Sequence, residues 1–136
     1  MPSSISPEMQ ILFCAIALGI IQLLLAILFS VGGRGLPWAL GPRDEGRPKL
    51  GKIGGRIERA WTNFLETFPL FAAAVLMVHA LNMQTATSAL GAQIYIWARL
   101  IYVPAYVIAI PFLRTLIWIA SLVGILLVMS AIWPGW

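Results

Sequence analysis

The segment from Arg56 to Pro69, RIERAWTNFLETFP, constrains the fold of this chain most strongly. It opens a long apolar run, yet polar residues recur in it at spacings of three, four and three: Arg56, Arg59, Asn63 and Glu66. These spacings place side chains on one face of an α-helix. Ionisable groups within a membrane cost about 2.5–3.5 kcal/mol each and normally face protein or water. The segment therefore predicts a membrane helix with one polar stripe, which is either a functional site or a structural ion-pair ladder.

The composition is that of a membrane protein. The chain has 136 residues, enough for a single domain over residues 1–136, and 60% of them are apolar while 10% are charged. Several apolar runs reach the roughly 20 residues that are needed to cross a bilayer. The net charge of +4 does not indicate nucleic-acid binding, because the basic residues lie at helix ends and in one loop. We therefore expect an all-α membrane protein whose partners include membrane lipid.

The apolar runs predict four transmembrane helices, over residues 9–31, 57–81, 89–110 and 112–132. The first run is too long for a signal peptide and no basic residue precedes it, so we expect it to be retained. One of three serines is expected to cap its start: Ser3, Ser4 or Ser6. Together the runs predict a four-helix bundle.

Residues 32–55 are rich in Gly and Pro and carry most of the charge, which predicts a loop. Within it, Asp44 and Glu45 lie among basic residues, so we expect a salt-bridged surface loop and no metal site. The glycine-rich end of this segment lacks the Walker spacing and a preceding strand, which argues against a phosphate-binding loop.

The predicted third helix carries a second polar stripe, formed by Arg99, Tyr102 and Tyr106. The other basic residues lie in or just after the first loop and at Arg114 in the third connection. Because positive residues favour the cytoplasmic side, both chain ends are predicted to be non-cytoplasmic.

Arg99 is then the one basic residue left deep in the bilayer. Counting from the same side, Glu66 lies about 15 Å and Arg99 about 18 Å along helices that rise about 1.5 Å per residue. Isolated charges in hydrocarbon are strongly disfavoured. We therefore predict a buried ion pair between Arg99 and Glu66.

The motifs of the two stripes resemble those of the MAPEG family, the membrane-associated proteins in eicosanoid and glutathione metabolism. The second-helix signature is met by Arg56, Arg59, Ala60, Asn63, Glu66 and Pro69, and the third-helix run by Arg99, Tyr102 and Tyr106, with Arg114 following. The resemblance covers nearly the whole chain. The compact length of the chain suggests a bacterial member of the family, located in the inner membrane. It implies a left-handed four-helix bundle that forms a homotrimer, with glutathione in a cytoplasm-facing cleft between subunits.

The resemblance also implies roles for individual residues. The expected glutathione-binding residues are Arg56, Arg59, Asn63, Glu66, Arg99, Tyr102 and Tyr106. Arg114 resembles the arginine that stabilises the glutathione thiolate, with Tyr106 and Arg34 as lesser candidates for a catalytic role. The physical chemistry suits this ligand, because arginine forks bind carboxylates and a nearby cation lowers the pKa of a thiol.

The function implied is that of a glutathione-dependent transferase or peroxidase acting on lipophilic electrophiles, with glutathione as co-substrate. A non-catalytic binding or scaffold protein of the same fold is the alternative. A small multidrug transporter also has four short helices, but proton-coupled members need an acid within the first helix. Residues Met9 to Val31 contain no acid, which disfavours a transporter.

Overall fold

The computed structural model describes residues 4–133, which form five α-helices and no β-strand. The helices are α1 (Pro7–Arg34), α2 (Leu36–Leu40), α3 (Lys52–Ala80), α4 (Ala86–Ile108) and α5 (Leu113–Met129). Helices α1, α3, α4 and α5 pack into one bundle, while the short α2 contacts α1. By length and composition, α1 and α3 are able to cross a membrane, and α5 is a shorter apolar helix. The all-α prediction is confirmed.

The segment over residues 32–55 differs from the predicted loop. Helix α1 continues to Arg34 and ends at Gly35, whose φ of 90° favours glycine. Helix α2 follows at once, with a proline in its first turn. Helix α3 begins at Lys52 and includes Gly54 and Gly55 despite the low helix propensity of glycine. Arg56 consequently lies inside α3.

The helix starts follow from local capping. The Ser6 hydroxyl accepts a hydrogen bond from the backbone N–H of Met9 at 3.4 Å, so Ser6 caps α1; Ser3 lies outside the described residues. Thr85 and Ser88 form a reciprocal capping box at the start of α4. The Ser88 hydroxyl also donates to the buried carboxylate of Glu8, which ties the starts of α1 and α4 together.

The core is built on close contacts of α4 with its neighbours. Tyr95 stacks on Phe71 of α3 with ring centroids 4.0 Å apart, and its hydroxyl lies 3.1 Å from that of Thr67. On the other side, Gly91 of α4 meets Gly124 of α5 backbone to backbone. Small residues allow such close helix approach in membrane proteins. Helix α4 is thereby fixed against both α3 and α5, which sets the position of its polar residues.

We call the end of the bundle that holds residues 35–51 and 109–112 the loop end. The opposite end holds the start of α1 and residues 81–85. Four basic residues lie in the stretch from Arg43 to Lys52 at the loop end.

Candidate functional site

Seven of the predicted site residues contact one another in one row, which we call the polar strip: Arg59, Asn63 and Glu66 on α3, Arg99, Tyr102 and Tyr106 on α4, and Arg114 on α5. Their three- and four-residue spacings put each set on one helix face, and the packing of α3, α4 and α5 brings those faces together. The strip runs from exposed arginines at the loop end to a buried arginine in the bundle.

Tyr106 organises the loop end of the strip. The Nε of Arg59 donates to the Tyr106 hydroxyl at 3.0 Å. The guanidinium of Arg114 lies over the Tyr106 ring, 5.1 Å from its centroid. Both arginines are exposed, and Tyr106 is half-buried. Two cations are therefore held beside one phenol, and both remain open to a ligand.

Arg99 forms the deep end of the strip and is fully buried. Its Nη1 donates to Oδ1 of Asn63 at 2.8 Å, and its guanidinium lies 4.4 Å from the centroid of the Tyr102 ring. Its Nε and Nη2 atoms have no hydrogen-bond partner among the described residues. Burying a guanidinium with two unbonded donor atoms is unfavourable in free energy. We therefore expect a further hydrogen-bond acceptor at this end of the strip.

The predicted ion pair between Arg99 and Glu66 is wrong within the described chain. Asn63 lies between the two, accepting from Arg99 and donating its Nδ2 to Glu66 Oε2 at 3.5 Å. Glu66 itself is exposed. The depth estimate had a resolution of about one helical turn, and Asn63 lies one turn closer to the loop end.

Asn63, and not Glu66, should therefore govern the stability of this region. We expect Asn63→Leu to lower the free energy of unfolding by about 2–3 kcal/mol, because it leaves the buried Arg99 without a side-chain acceptor. Glu66→Gln should cost less than about 1 kcal/mol, since Glu66 is exposed. Denaturation in mixed micelles measures both. Equal losses in the two variants would show that Glu66 supports Arg99 directly.

The other two predicted site residues make different contacts. The Nη1 of Arg56 donates to the carbonyl oxygen of Val107 at 2.9 Å and so fastens α3 to the end of α4. Arg34, the lesser catalytic candidate, pairs with Glu58 at 2.7 Å and has a side chain that is only 4% exposed. Arg34 bonds to none of the polar-strip residues, so the structure does not bring it to the site.

Glu58 was not among the residues predicted to form a site or a salt bridge. This carboxylate accepts from Arg34 and also from Arg47, whose Nη1 lies 2.8 Å away. The expected salt bridges of Asp44 and Glu45 do not occur among the described residues. The partners of Glu58 are 24 and 11 residues away in sequence, whereas the prediction considered only charges within the loop.

The polar strip offers hydrogen-bonding and charged groups that suit a ligand with carboxylate and ammonium groups. Three guanidinium groups can bind carboxylates or stabilise a thiolate, and two tyrosine hydroxyls can donate or accept. The exposed carboxylate of Glu66 can bind an ammonium group. The Nε and Nη2 donors of Arg99 can hydrogen-bond a ligand carboxylate that is removed from water.

The sequence model of the MAPEG family matches residues 11–133, a range that includes every residue of the polar strip. No curated protein and no solved structure matches the chain.

Proposed function

Since the chain belongs to the MAPEG family, we propose that it is a membrane enzyme that transfers glutathione to lipophilic electrophiles or reduces lipophilic peroxides with it. The observation that carries this proposal is the polar strip that ends in the under-bonded, buried Arg99. If the polar strip only stabilised the fold, we would expect every donor of the Arg99 guanidinium to be bonded within the protein.

Glutathione fits the donor set of the strip. Its two carboxylates suit Arg59 and Arg99, its ammonium group suits Glu66, and Asn63 and the tyrosines can bond the peptide groups. Glutathione supplies the thiol, whose sulfur forms a bond to the electrophilic carbon while the leaving group departs with the bonding electron pair. Arg114 is placed to favour the thiolate form. The protein's part is to orient the peptide and lower the pKa of its thiol.

Calorimetric titration of glutathione into the detergent-purified protein tests the proposal, followed by an assay with a generic aromatic electrophile. Saturable binding with turnover is expected. Binding without turnover would favour the scaffold alternative, and absence of binding would refute the proposed site. Ophthalmic acid, in which a methyl group replaces the thiol, is the matched ligand control: it should bind and yield no product.

We expect the enzyme to be a homotrimer with the cleft between subunits. Arg59, Glu66 and Arg114 are exposed in the single chain, although they belong to helices of the bundle. Charged groups exposed to lipid are unfavourable, so a neighbouring subunit that covers the strip relieves this cost. Native mass spectrometry in mild detergent should give three chains per particle. A distribution of only monomers and dimers would contradict this assembly.

We also expect all four long helices to cross the membrane, with the loop end in the cytoplasm and both chain ends outside. The basic residues of the loop end support this orientation through the positive-inside rule. Thiol labelling tests it in a Cys14→Ala background that carries Ser4→Cys or Asp44→Cys. An impermeant reagent applied outside should label position 4 and spare position 44; the reverse pattern would overturn the orientation.

A further inference from the structure

A cavity of about 370 Å³ opens at the loop end between α1, α2 and α3, and none of its lining residues belongs to the polar strip. Four charged side chains line its mouth: Arg34, Arg43, Arg47 and Glu58. Three guanidinium groups against one carboxylate leave a net charge of +2. The cavity mouth is thus an electrostatic site for an anion.

The three arginines at the mouth differ in how many of their hydrogen-bond donors are already bonded within the protein. Arg34 is committed to the protein, since it bonds to Glu58, to Ser30 and to the Pro48 carbonyl oxygen. Arg47 uses only Nη1, toward Glu58, and its side chain is 63% exposed. Arg43 is exposed and uses only Nη2, toward a backbone carbonyl. The remaining donors of Arg43 and Arg47 can therefore bind an incoming anion.

Helix α2 gives the mouth the character of a membrane interface. Two guanidinium groups contact the ring of its Trp38: that of Arg34 lies 5.2 Å and that of Arg43 4.8 Å from the ring centroid. One turn apart on the same helix, Leu36 and Leu40 are 55% and 78% exposed. Tryptophan, basic residues and exposed leucines together are typical of a segment at the boundary between headgroups and acyl chains.

The wall of the cavity that lies farther from the loop end is apolar, and it continues along the bundle. A second cavity of about 190 Å³ shares three residues with the first, Leu23, Trp61 and Leu65, and extends to Ile16 and Phe68. Leu23 lies eleven residues from Arg34, or about 16 Å along the helix. That distance is close to half of the roughly 30 Å hydrocarbon thickness of a bilayer. We call the two cavities together the groove: the first runs from a cationic mouth to an apolar wall about one leaflet deep, and the second continues beyond it toward Ile16.

We propose that this groove binds one anionic phospholipid, with its phosphate at Arg43 and Arg47 and an acyl chain along Leu23 and Leu65. A soluble phosphate would use only the mouth and leave the apolar channel unfilled. A zwitterionic lipid would fill the channel but gain less from the net positive mouth. This site goes beyond the proposed glutathione function and uses different residues.

Native mass spectrometry of the full chain tests the site, with dioleoyl-phosphatidylglycerol and dioleoyl-phosphatidylcholine as probes. Each basic residue near an anionic bilayer surface contributes about a fivefold preference, so Arg43→Gln with Arg47→Gln should weaken phosphatidylglycerol retention by about 30-fold. Lys49→Gln with Lys52→Gln is the matched control, because it also removes two charges from this end of the bundle and neither residue lines the two cavities. Leu23→Trp should weaken retention by filling the groove at unchanged charge, with a melting curve as the check on folding.

Four results would overturn the proposal. Equal retention of the two lipids, or equal weakening by the Lys49→Gln and Lys52→Gln double variant, would reduce the effect to general surface charge. Displacement of the lipid by millimolar glycerol 3-phosphate would identify a soluble-anion site. Displacement of the lipid by glutathione would show that the groove is part of the proposed glutathione site. Failure of the wild-type protein to bind glutathione, by contrast, would contradict the proposed function and leave the lipid result intact.

Discussion

Replacing Gly91 with valine is expected to prevent α4 and α5 from packing and to abolish the folded bundle. A Cβ at position 91 would lie 2.5 Å from the carbonyl oxygen of Gly124 and 2.8 Å from the backbone nitrogen of Val128. Backbone atoms of a helix cannot rotate away as a flexible side chain can, so the two helices must separate. Overpacking of this kind costs about 3 kcal/mol or more. The yield of monodisperse protein and its melting temperature measure the effect.

Gly32→Ala is the matched control, because it also adds a Cβ to a helical glycine. Position 32 has open space within 4 Å, and alanine has a higher helix propensity than glycine. This variant should be neutral or more stable by up to about 1 kcal/mol. If Gly91→Val melts like the wild type, α4 and α5 do not cross in contact at this point.

The sequence was sufficient to predict the polar strip because helix periodicity is a local property. Spacings of three and four residues fix which side chains share a helix face, whatever the helix packs against. The two stripes were predicted to meet, and in the structure they do so through Arg99 and Asn63. The bonding partner of Arg99 was mispredicted, because the choice between Asn63 and Glu66 depends on an axial shift of one turn.

Contacts between residues distant in sequence were not predictable in this way. Glu8 is buried and bonded by Ser88, which lies 80 residues later, and its second carboxylate oxygen has no partner among the described residues. A proton-coupled transporter was disfavoured because residues 9–31 contain no acid. Helix α1 begins at Pro7 and so includes Glu8, although only in its first turn. The bond to Ser88 gives this carboxylate a role in joining the starts of α1 and α4.

The glycine contact between α4 and α5 was also invisible in the sequence analysis. The chain has 12 glycines, and no local pattern separates Gly91 and Gly124 from Gly32. Only the crossing of two helices shows which glycine hydrogens face a backbone. Such a contact matters for function, because Arg99 lies two turns along the same helix as Gly91, and a shift of α4 displaces the polar strip.

Arg114→Ala is expected to lower turnover by about 100-fold, a loss typical of removing one group that stabilises developing negative charge at a reacting centre. Arg114 is exposed, lies over the ring of Tyr106, and makes no hydrogen bond within the described chain. Its donors are therefore available to a thiolate. It stands near the start of α5 at the loop end, where a water-soluble peptide and a lipid-dissolved electrophile can meet.

The pattern of the losses separates a thiolate-stabilising role from a binding role. Arg114→Ala should raise the pKa of the bound thiol, followed by thiolate absorbance over pH, while the affinity for glutathione changes little. Arg59→Ala should do the opposite, weakening binding and sparing the thiol pKa. Arg114→Lys keeps the charge and should restore part of the turnover. An unchanged thiol pKa and unchanged turnover in Arg114→Ala would leave this residue as a membrane anchor whose guanidinium reaches lipid phosphates.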